Sequence, residues 1–253
     1  MTLPRVIQGD VLTVLPTLPD ASVDAVIADP PYSSGAATLA GKQAHVSKKY
    51  QQTGTVKSYP AFYGDQRDQR SFTYWMILWL AQCWRIARDK APLLVFTDWR
   101  QLPAMTDAVQ AAGWAWRGVV VWRKPGARPV LGEFRREAEF LIYARKGGYA
   151  GQPGEGCLPG VYSYPVVGAQ KQHMTEKPLQ LMCDLMQIAP EGGTVLDPFC
   201  GSGTTLAAAM LSGRGGIGVE LSAEYCRITE ARLAALAAER SLPGVMPAAA
   251  GGV

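Results

Sequence analysis

The feature that most constrains this chain is Asp29-Pro30-Pro31-Tyr32, which follows directly on the apolar run Val23 to Ala28. An apolar run of about six residues reads as a buried strand. The two prolines then forbid its continuation, because they remove backbone donors and fix φ. The strand must stop at once, and at its end it presents a carboxylate, proline carbonyls and an aromatic ring. Those groups suit a planar exocyclic amine. Asp29 can accept one amine hydrogen, the main-chain carbonyl of Pro30 or Pro31 the other, and Tyr32 can stack on the attached ring for roughly 1–3 kcal/mol per base. An arylamine nitrogen is a poor nucleophile because its lone pair is delocalised. Holding both hydrogens favours the pyramidal form and orients the lone pair for in-line attack. Taken alone, the tetrapeptide is as readily a strand-ending turn, so the rest of the chain has to decide.

The length of 253 residues suits one large domain with ample apolar content for a core. The expected organisation is a single domain over 1–240 with a flexible Pro/Gly/Ala tail over 241–253. Twenty-five Lys and Arg against 21 Asp and Glu give a mildly basic chain, compatible with a polyanionic partner without demanding one. Cys83, Cys157, Cys183, Cys200 and Cys226 are odd in number and scattered, and His45 and His173 are the two histidines, so no metal-ligand spacing is present. A reduced cytoplasmic protein without zinc is expected. Residues 1–5 lack a signal-peptide core and no apolar run reaches about 18 residues, which argues against export and membrane insertion.

Arg5 to Gln8 reads as a strand ending at Gly9-Asp10. Leu12, Leu15 and Leu18 follow at helical spacing, and the strand carrying Asp29 completes a βαβ unit. Asp10 at the carboxyl end of a strand is a surface turn residue or a ligand contact. Residues 33–71 form a long polar stretch holding Lys42, Lys48, Lys49, Lys57, Arg67 and Arg70 with interleaved aromatics. Long insertions of this kind are functional or disordered. Bases with aromatics beside an amine-binding motif favour a DNA-contacting loop over a solvated insertion. Phe72 to Ala87 is a helix candidate whose Trp75, Trp79 and Trp84 stripe is expected to pack in the core or on a partner helix. Leu93 to Asp98 is a strand, and a helix through Met105, Val109 and Ala112 stops at Gly113. Strands over 119–122 and 139–143 flank a basic loop with Lys124, Arg128, Arg135 and Arg136, either a solvated face or a phosphate contact. Residues 147–172 are Gly/Pro-rich and read as irregular.

The second informative stretch is Thr194 to Thr205. A strand ends in Asp197-Pro198-Phe199, and Cys200-Gly201-Ser202-Gly203-Thr204 then opens a helix over 206–212, bringing free backbone amides close to a ligand. The third small residue of a dinucleotide fingerprint would fall at Leu206, so a pyrophosphate site is disfavoured. The next strand, 216–219, ends in Glu220, placed to bind ribose hydroxyls. Together these describe a nucleoside site without a pyrophosphate. A helix over about 223–239 follows.

With these residues in view, the chain resembles the amino-group DNA methyltransferases that use S-adenosylmethionine. Asp29-Pro30-Pro31-Tyr32 is similar to their catalytic motif and Asp197 to Thr205 to their cofactor motif. Glu220 resembles the ribose-binding acid, and His173-Met174-Thr175-Glu176-Lys177-Pro178 the segment contacting the methionine moiety. The resemblance runs from Gly9 to about Leu236. The catalytic motif precedes the glycine motif, as in the permuted β group. Asp at position 29 resembles the adenine-N6 enzymes more than the cytosine-N4 ones, which stay as the alternative.

The resemblance implies a doubly wound, mostly parallel seven-stranded sheet with its two central strands ending at Asp29 and Asp197. It also implies a site-specific adenine methyltransferase acting on double-stranded DNA by base flipping, and a homodimer, as members commonly form. By carry-over, Asp29, Pro30, Pro31 and Tyr32 are catalytic. Asp10, Thr175, Lys177, Asp197, Pro198, Phe199, Gly201, Ser202, Gly203, Thr204 and Glu220 hold the cofactor, Asp10 at its adenine and Thr175 and Lys177 at its methionine end. The interval from Tyr143 to His173, where the group often keeps a recognition domain, is short. DNA recognition is therefore assigned to 33–71 and to about 124–172, or is shared across a dimer. A non-catalytic DNA-binding protein that senses the cofactor is the reading from a different class.

Overall fold

The computed structural model describes residues 3–33, 67–127, 129, 131–148, 156–166 and 176–240. Its frame is an eight-stranded sheet: β1 (Arg5–Gln8), β2 (Ala25–Ala28), β3 (Pro92–Thr97), β4 (Ala115–Arg123), β5 (Ala138–Arg145), β6 (Val161–Ser163), β7 (Thr194–Asp197) and β8 (Gly215–Glu220). Their order across the sheet is β1-β8-β7-β2-β3-β5-β4-β6. β5 runs antiparallel to both neighbours, and the other pairings are parallel. The sequence led to seven strands. The eighth is β6, a three-residue strand on the edge beside β4, in the stretch read as irregular.

Among the described residues the helices are α1 (Val11–Val14, continued by a 3-10 turn Leu15–Thr17), α2 (Gln69–Ile86), α3 (Leu102–Ala111), α4 (Leu179–Leu185, continued by a 3-10 turn Met186–Ile188), α5 (Thr204–Leu211) and α6 (Ala223–Arg240). Alternation along β2 sorts them onto the two faces of the sheet. Val26 and Ala28 pack with α1, α2 and α3 in one core, while Ala25 and Ile27 pack with α4 and α5 in another. A strand buried on both faces is what a parallel sheet covered by helices requires. Trp75, Met76 and Trp79 put the α2 stripe into the first core, and Trp79 is fully buried. α2 starts at Gln69, inside the polar insertion, because the Asp68 side chain accepts from the Arg70 and Ser71 amides and caps it.

β2 and β7 lie side by side, with Ala25 opposite Val195 and Val26 opposite Leu196. From β2 the chain proceeds outward to β3, and from β7 it proceeds the other way to β8. The crevice at their carboxyl ends is therefore the topological switch point where open α/β sheets bind ligands.

Candidate active site

Asp29 leaves the end of β2 and meets Tyr32 from its own turn, with Lys177 and Glu139 brought in from distant parts of the chain. The Tyr32 hydroxyl donates to Asp29 Oδ1 at 2.7 Å, and Lys177 Nζ donates to Asp29 Oδ2 at 2.7 Å. Lys177 Nζ also lies 3.2 Å from the Tyr32 hydroxyl and 3.5 Å from Glu139 Oε2. Glu139 opens β5, whose first residues sit at this edge because β5 runs antiparallel to β3. Its other oxygen accepts from Lys124 at 2.9 Å, and its Oε2 is 3.4 Å from the Tyr32 hydroxyl. Two acids, two bases and a phenol thus form one partly buried cluster of balanced charge.

Burial pushes the Asp29 carboxyl above its ordinary range, with Lys177 pulling against it. Burial also opposes the charge on Lys177, yet Asp29 and Glu139 together hold its ammonium above the ordinary value. The Glu139 carboxyl sits below its ordinary value, because Lys177 and Lys124 outweigh the effect of burial. Tyr32 is pushed far up by burial and by the carboxylates of Asp29 and Glu139, so its hydroxyl stays protonated as a donor.

The glycine turn closes the neighbouring strand end. Asp197 is 2% exposed and accepts from the Phe199 amide at 2.9 Å and from the Thr205 hydroxyl. Burial raises its pKa to about 7, and the charges of Asp29 and Glu220 add to the rise. Gly203 has φ 78°, and a Cβ there would come within 2.6 Å of Thr229 Cγ2, so this position demands glycine on conformation and on space. The Thr229 hydroxyl donates to the Gly201 carbonyl at 2.8 Å, fixing the turn on α6. Glu220 accepts from the Gly201 amide at 3.0 Å and from the Ser222 amide at 2.7 Å. Burial pushes its carboxyl up.

One residue that the sequence reading did not single out joins the two halves. Arg232 Nη1 on α6 donates to Glu176 at 3.0 Å, to the Thr204 hydroxyl at 3.0 Å and to the Ser202 carbonyl at 3.3 Å. Glu176 is thereby pinned to the glycine turn while its neighbour Lys177 reaches Asp29. Glu139 was likewise missed as a site residue. Its only trace in the sequence is an acid at the mouth of an apolar strand.

The remaining candidates are spread along the same edge and beyond it. Asp10 is exposed and caps α1, accepting from the Leu12 amide at 2.8 Å. The Gly9 amide donates to the Glu220 carbonyl at 2.9 Å, which brings Asp10 to the β8 end. Arg67 lies over the Trp75 ring at 4.2 Å, and Phe199 packs against Trp75 and Trp79 with centroids 5.4 and 5.0 Å away. Pro30 is buried, and Pro31 and Pro198 flank the two carboxylates. Lys124, read as a DNA contact, is held in the partly buried pair with Glu139. Arg136 pairs with Glu133 on the surface at 3.0 Å, and Arg70 and Arg135 are exposed. Thr175, Lys42, Lys48, Lys49, Lys57 and Arg128 lie outside the described residues, as does the tail from 241. Among the described residues no group of acids, Cys and His could hold a metal ion, and no helix is long and apolar enough to cross a membrane.

Comparison with known proteins agrees with this geometry. A family model described as DNA methylase, for N6/N4 methyltransferases, matches residues 23–168 and 150–231. The chain is 29% identical to YubD of Escherichia coli (strain K12) over 234 residues, 92% of this chain and 91% of that one. It is 24% identical to the type II methyltransferase M2.MboI of Moraxella bovis over 248 residues, 90% and 86% of the two chains. Among solved structures it superposes on the M1.HpyAVI–SAM complex with a TM-score of 0.66 at 21% identity, covering 91% of this chain and 99% of that one. On the PvuII cytosine-N4-specific DNA methyltransferase the TM-score is 0.68 at 14% identity, covering 91% and 87%. A glycine turn and an Asp-Pro-Pro-Tyr carboxylate at one switch point, under a family model that spans both, lead to one conclusion: the chain belongs to the N6/N4 DNA methylase family.

Proposed function

We propose that this DNA methyltransferase transfers the methyl group of S-adenosylmethionine to the N6 amine of adenine in double-stranded DNA, with the target base rotated out of the duplex. The observation that carries the reading is the bridge Arg232–Glu176–Lys177–Asp29, which ties the glycine turn to the amine-binding carboxylate. The local charge fits this cofactor. Asp29 and Glu220 are close enough to Asp197 for their charges to raise its pKa, so the edge between them favours a ligand with positive charge at its reacting centre. When bound, the cofactor supplies an electrophilic methyl on a sulfonium.

In this reading Glu220 takes the ribose hydroxyls and Asp10 the cofactor's adenine. The Gly201, Ser202 and Gly203 turn, with Thr204 and Thr175, takes the methionine end. Asp197, Pro198 and Phe199 shape the floor. Asp29 and a carbonyl of Pro30 or Pro31 accept the two amine hydrogens and leave the nitrogen lone pair aimed at the methyl. Tyr32 stacks on the base. Lys177 lies 5.4 Å from the Tyr32 ring centroid, beside the ring that would stack. Rotation of the base costs a few kcal/mol, part of which stacking offsets. The assembly is read as a homodimer in the cytoplasm, a single catalytic domain over 1–240.

Aspartate rather than serine at position 29 favours adenine over cytosine-N4. The test is incubation of unmethylated duplex DNA with methyl-labelled cofactor, followed by digestion to nucleosides. Label in N6-methyladenine is expected. Label in N4-methylcytosine would replace the base assignment, and absence of label from DNA would overturn the reading. Asp29→Ala should abolish transfer while cofactor binding persists, and undiminished turnover would refute the role of Asp29.

A further inference from the structure

Two of the most exposed apolar side chains among the described residues lie three positions apart in the connection at the rim of the site. Leu131 is 97% and Phe134 98% exposed, at the crest of the connection from β4 to β5. The register fixes where that connection lies. Thr97 at the end of β3 faces Phe140, and Arg123 at the end of β4 faces Ala138, so the β4–β5 turn rises from the same sheet edge as Asp29. Its stem is rooted in the site itself. Lys124 donates its amide to the Glu137 carbonyl at 2.6 Å and its ammonium to Glu139, which is in turn 3.4 Å from the Tyr32 hydroxyl.

Gly132 at φ 73° turns the backbone through the left-handed region between the two apolar residues. The flanks are basic: Lys124, Arg128, Arg135 and Arg136 against Glu133 and Glu137 over residues 124–137. Glu133 pairs with Arg136, while Arg135 is exposed beside Phe134. Exposed leucine and phenylalanine within one basic turn make an apolar patch with a charged rim, the pattern of an interaction site. The charge selects a polyanion with apolar surface inside it, and a stacked duplex is such a partner.

We propose that the turn at 131–136 is a wedge, with Phe134 and Leu131 entering the base stack where the target nucleotide leaves it and Arg135 on the adjoining phosphates. The proposal rests on the base-rotation reading above. Apolar side chains inserted between base steps unstack them and occupy the space vacated. The rooted stem would place the wedge at a fixed offset from Asp29, so that filling the stack and delivering the base occur in one movement.

The test uses the full chain, unmethylated bacterial genomic duplex DNA and methyl-labelled S-adenosylmethionine. The double variant Leu131→Ala/Phe134→Ala should lose about tenfold or more in methyl incorporation even at saturating DNA, because the unstacking step itself is slowed. Phe134→Trp, which keeps the bulk, should stay within about threefold, and the added indole should be quenched on duplex binding relative to wild type as it stacks on bases. Wild-type incorporation by the double variant would overturn the wedge. So would a loss confined to DNA affinity, which would make the turn a surface contact only. A shift in sedimentation from dimer to monomer would assign the crest to a second copy of the chain. If wild type itself puts no label into DNA, the methyltransferase reading fails, and quenching of Trp at position 134 still reports whether the turn meets DNA.

Discussion

Asp197→Asn isolates the electrostatic strain held under the glycine turn. The carboxyl is 2% exposed and accepts two hydrogen bonds, and burial brings its pKa to about 7 from an ordinary 3.8. A folded-state pKa above the unfolded one means that the native protein binds the extra proton between those values. Stability must then fall as pH rises from about 4 to about 7. At 1.36 kcal/mol for each pH unit, the interval amounts to ~4 kcal/mol for this one group. Asparagine keeps an oxygen for the Phe199 amide and offers its amide hydrogens to the Thr205 oxygen, and it carries no charge to desolvate. The stability of Asp197→Asn relative to wild type should therefore climb by up to ~4 kcal/mol between about pH 4 and pH 7 and level off above. Urea unfolding followed by circular dichroism across that range measures it. Parallel curves for the two proteins would refute the claim that burial raises this carboxyl to about 7.

Lys177→Met should cost ~3–5 kcal/mol near neutral pH, since Asp29 and Glu139 would face each other without their shared cation. Asp29 would titrate higher still in that variant, so the loss should shrink as pH falls and the carboxyl protonates; an equal loss at acid and neutral pH, read by urea unfolding, contradicts the pairing. Glu139→Gln removes a charge that raises the Asp29 pKa, and the acidic limb of the rate–pH profile should move to lower pH. A limb that stays in place or moves up would separate Glu139 from Asp29. Glu220→Ala should weaken cofactor binding by about tenfold or more, by loss of an acceptor from the ligand and from the Gly201 and Ser222 amides. Calorimetry with an unchanged dissociation constant would remove Glu220 from the site.

Much of the frame was legible because its signals are local. β2, β3 and β7 are apolar runs closed by Pro30, Asp98 and Pro198, and β1 and β8 are short strands centred on Val6-Ile7 and on Ile217 to Val219 that end at Gly9 and Glu220. The two motifs at the switch point end adjacent strands, as their resemblance to the family implied. β6 was invisible for a physical reason: Val161-Tyr162-Ser163 turns a single side chain inward, Tyr162, between glycines and prolines, too short for any period to show. The start of α2 was hidden because Asp68, its cap, sits in a polar run where a capping acid looks like any other loop residue. The ion-pair cluster could not be read at all. Lys177 and Asp29 are 148 positions apart, and whether a lysine in a Thr-Glu-Lys-Pro segment reaches a ligand or a carboxylate depends on how the sheet closes. The same holds for Lys124, which looks like a phosphate contact in sequence and is held by Glu139 in the fold.

That cluster also bears on how Asp29 can serve a base. Tyr32 occupies its Oδ1 and Lys177 its Oδ2, so in the proposed reaction an incoming amine would meet an acceptor already engaged on both oxygens. Stripping away either donor with nothing in exchange would leave a buried polar group unpaired, at ~1–3 kcal/mol or more for a charged one. Glu139 removes most of that cost. Its Oε2 stands 3.4 Å from the Tyr32 hydroxyl and 3.5 Å from Lys177 Nζ, so both donors have a second acceptor within a small movement. Lys124 holds Glu139 ionised for that purpose. The five side chains thus keep a partly buried carboxylate satisfied, and in the proposed reaction they would release it without orphaning a donor when an amine takes their place.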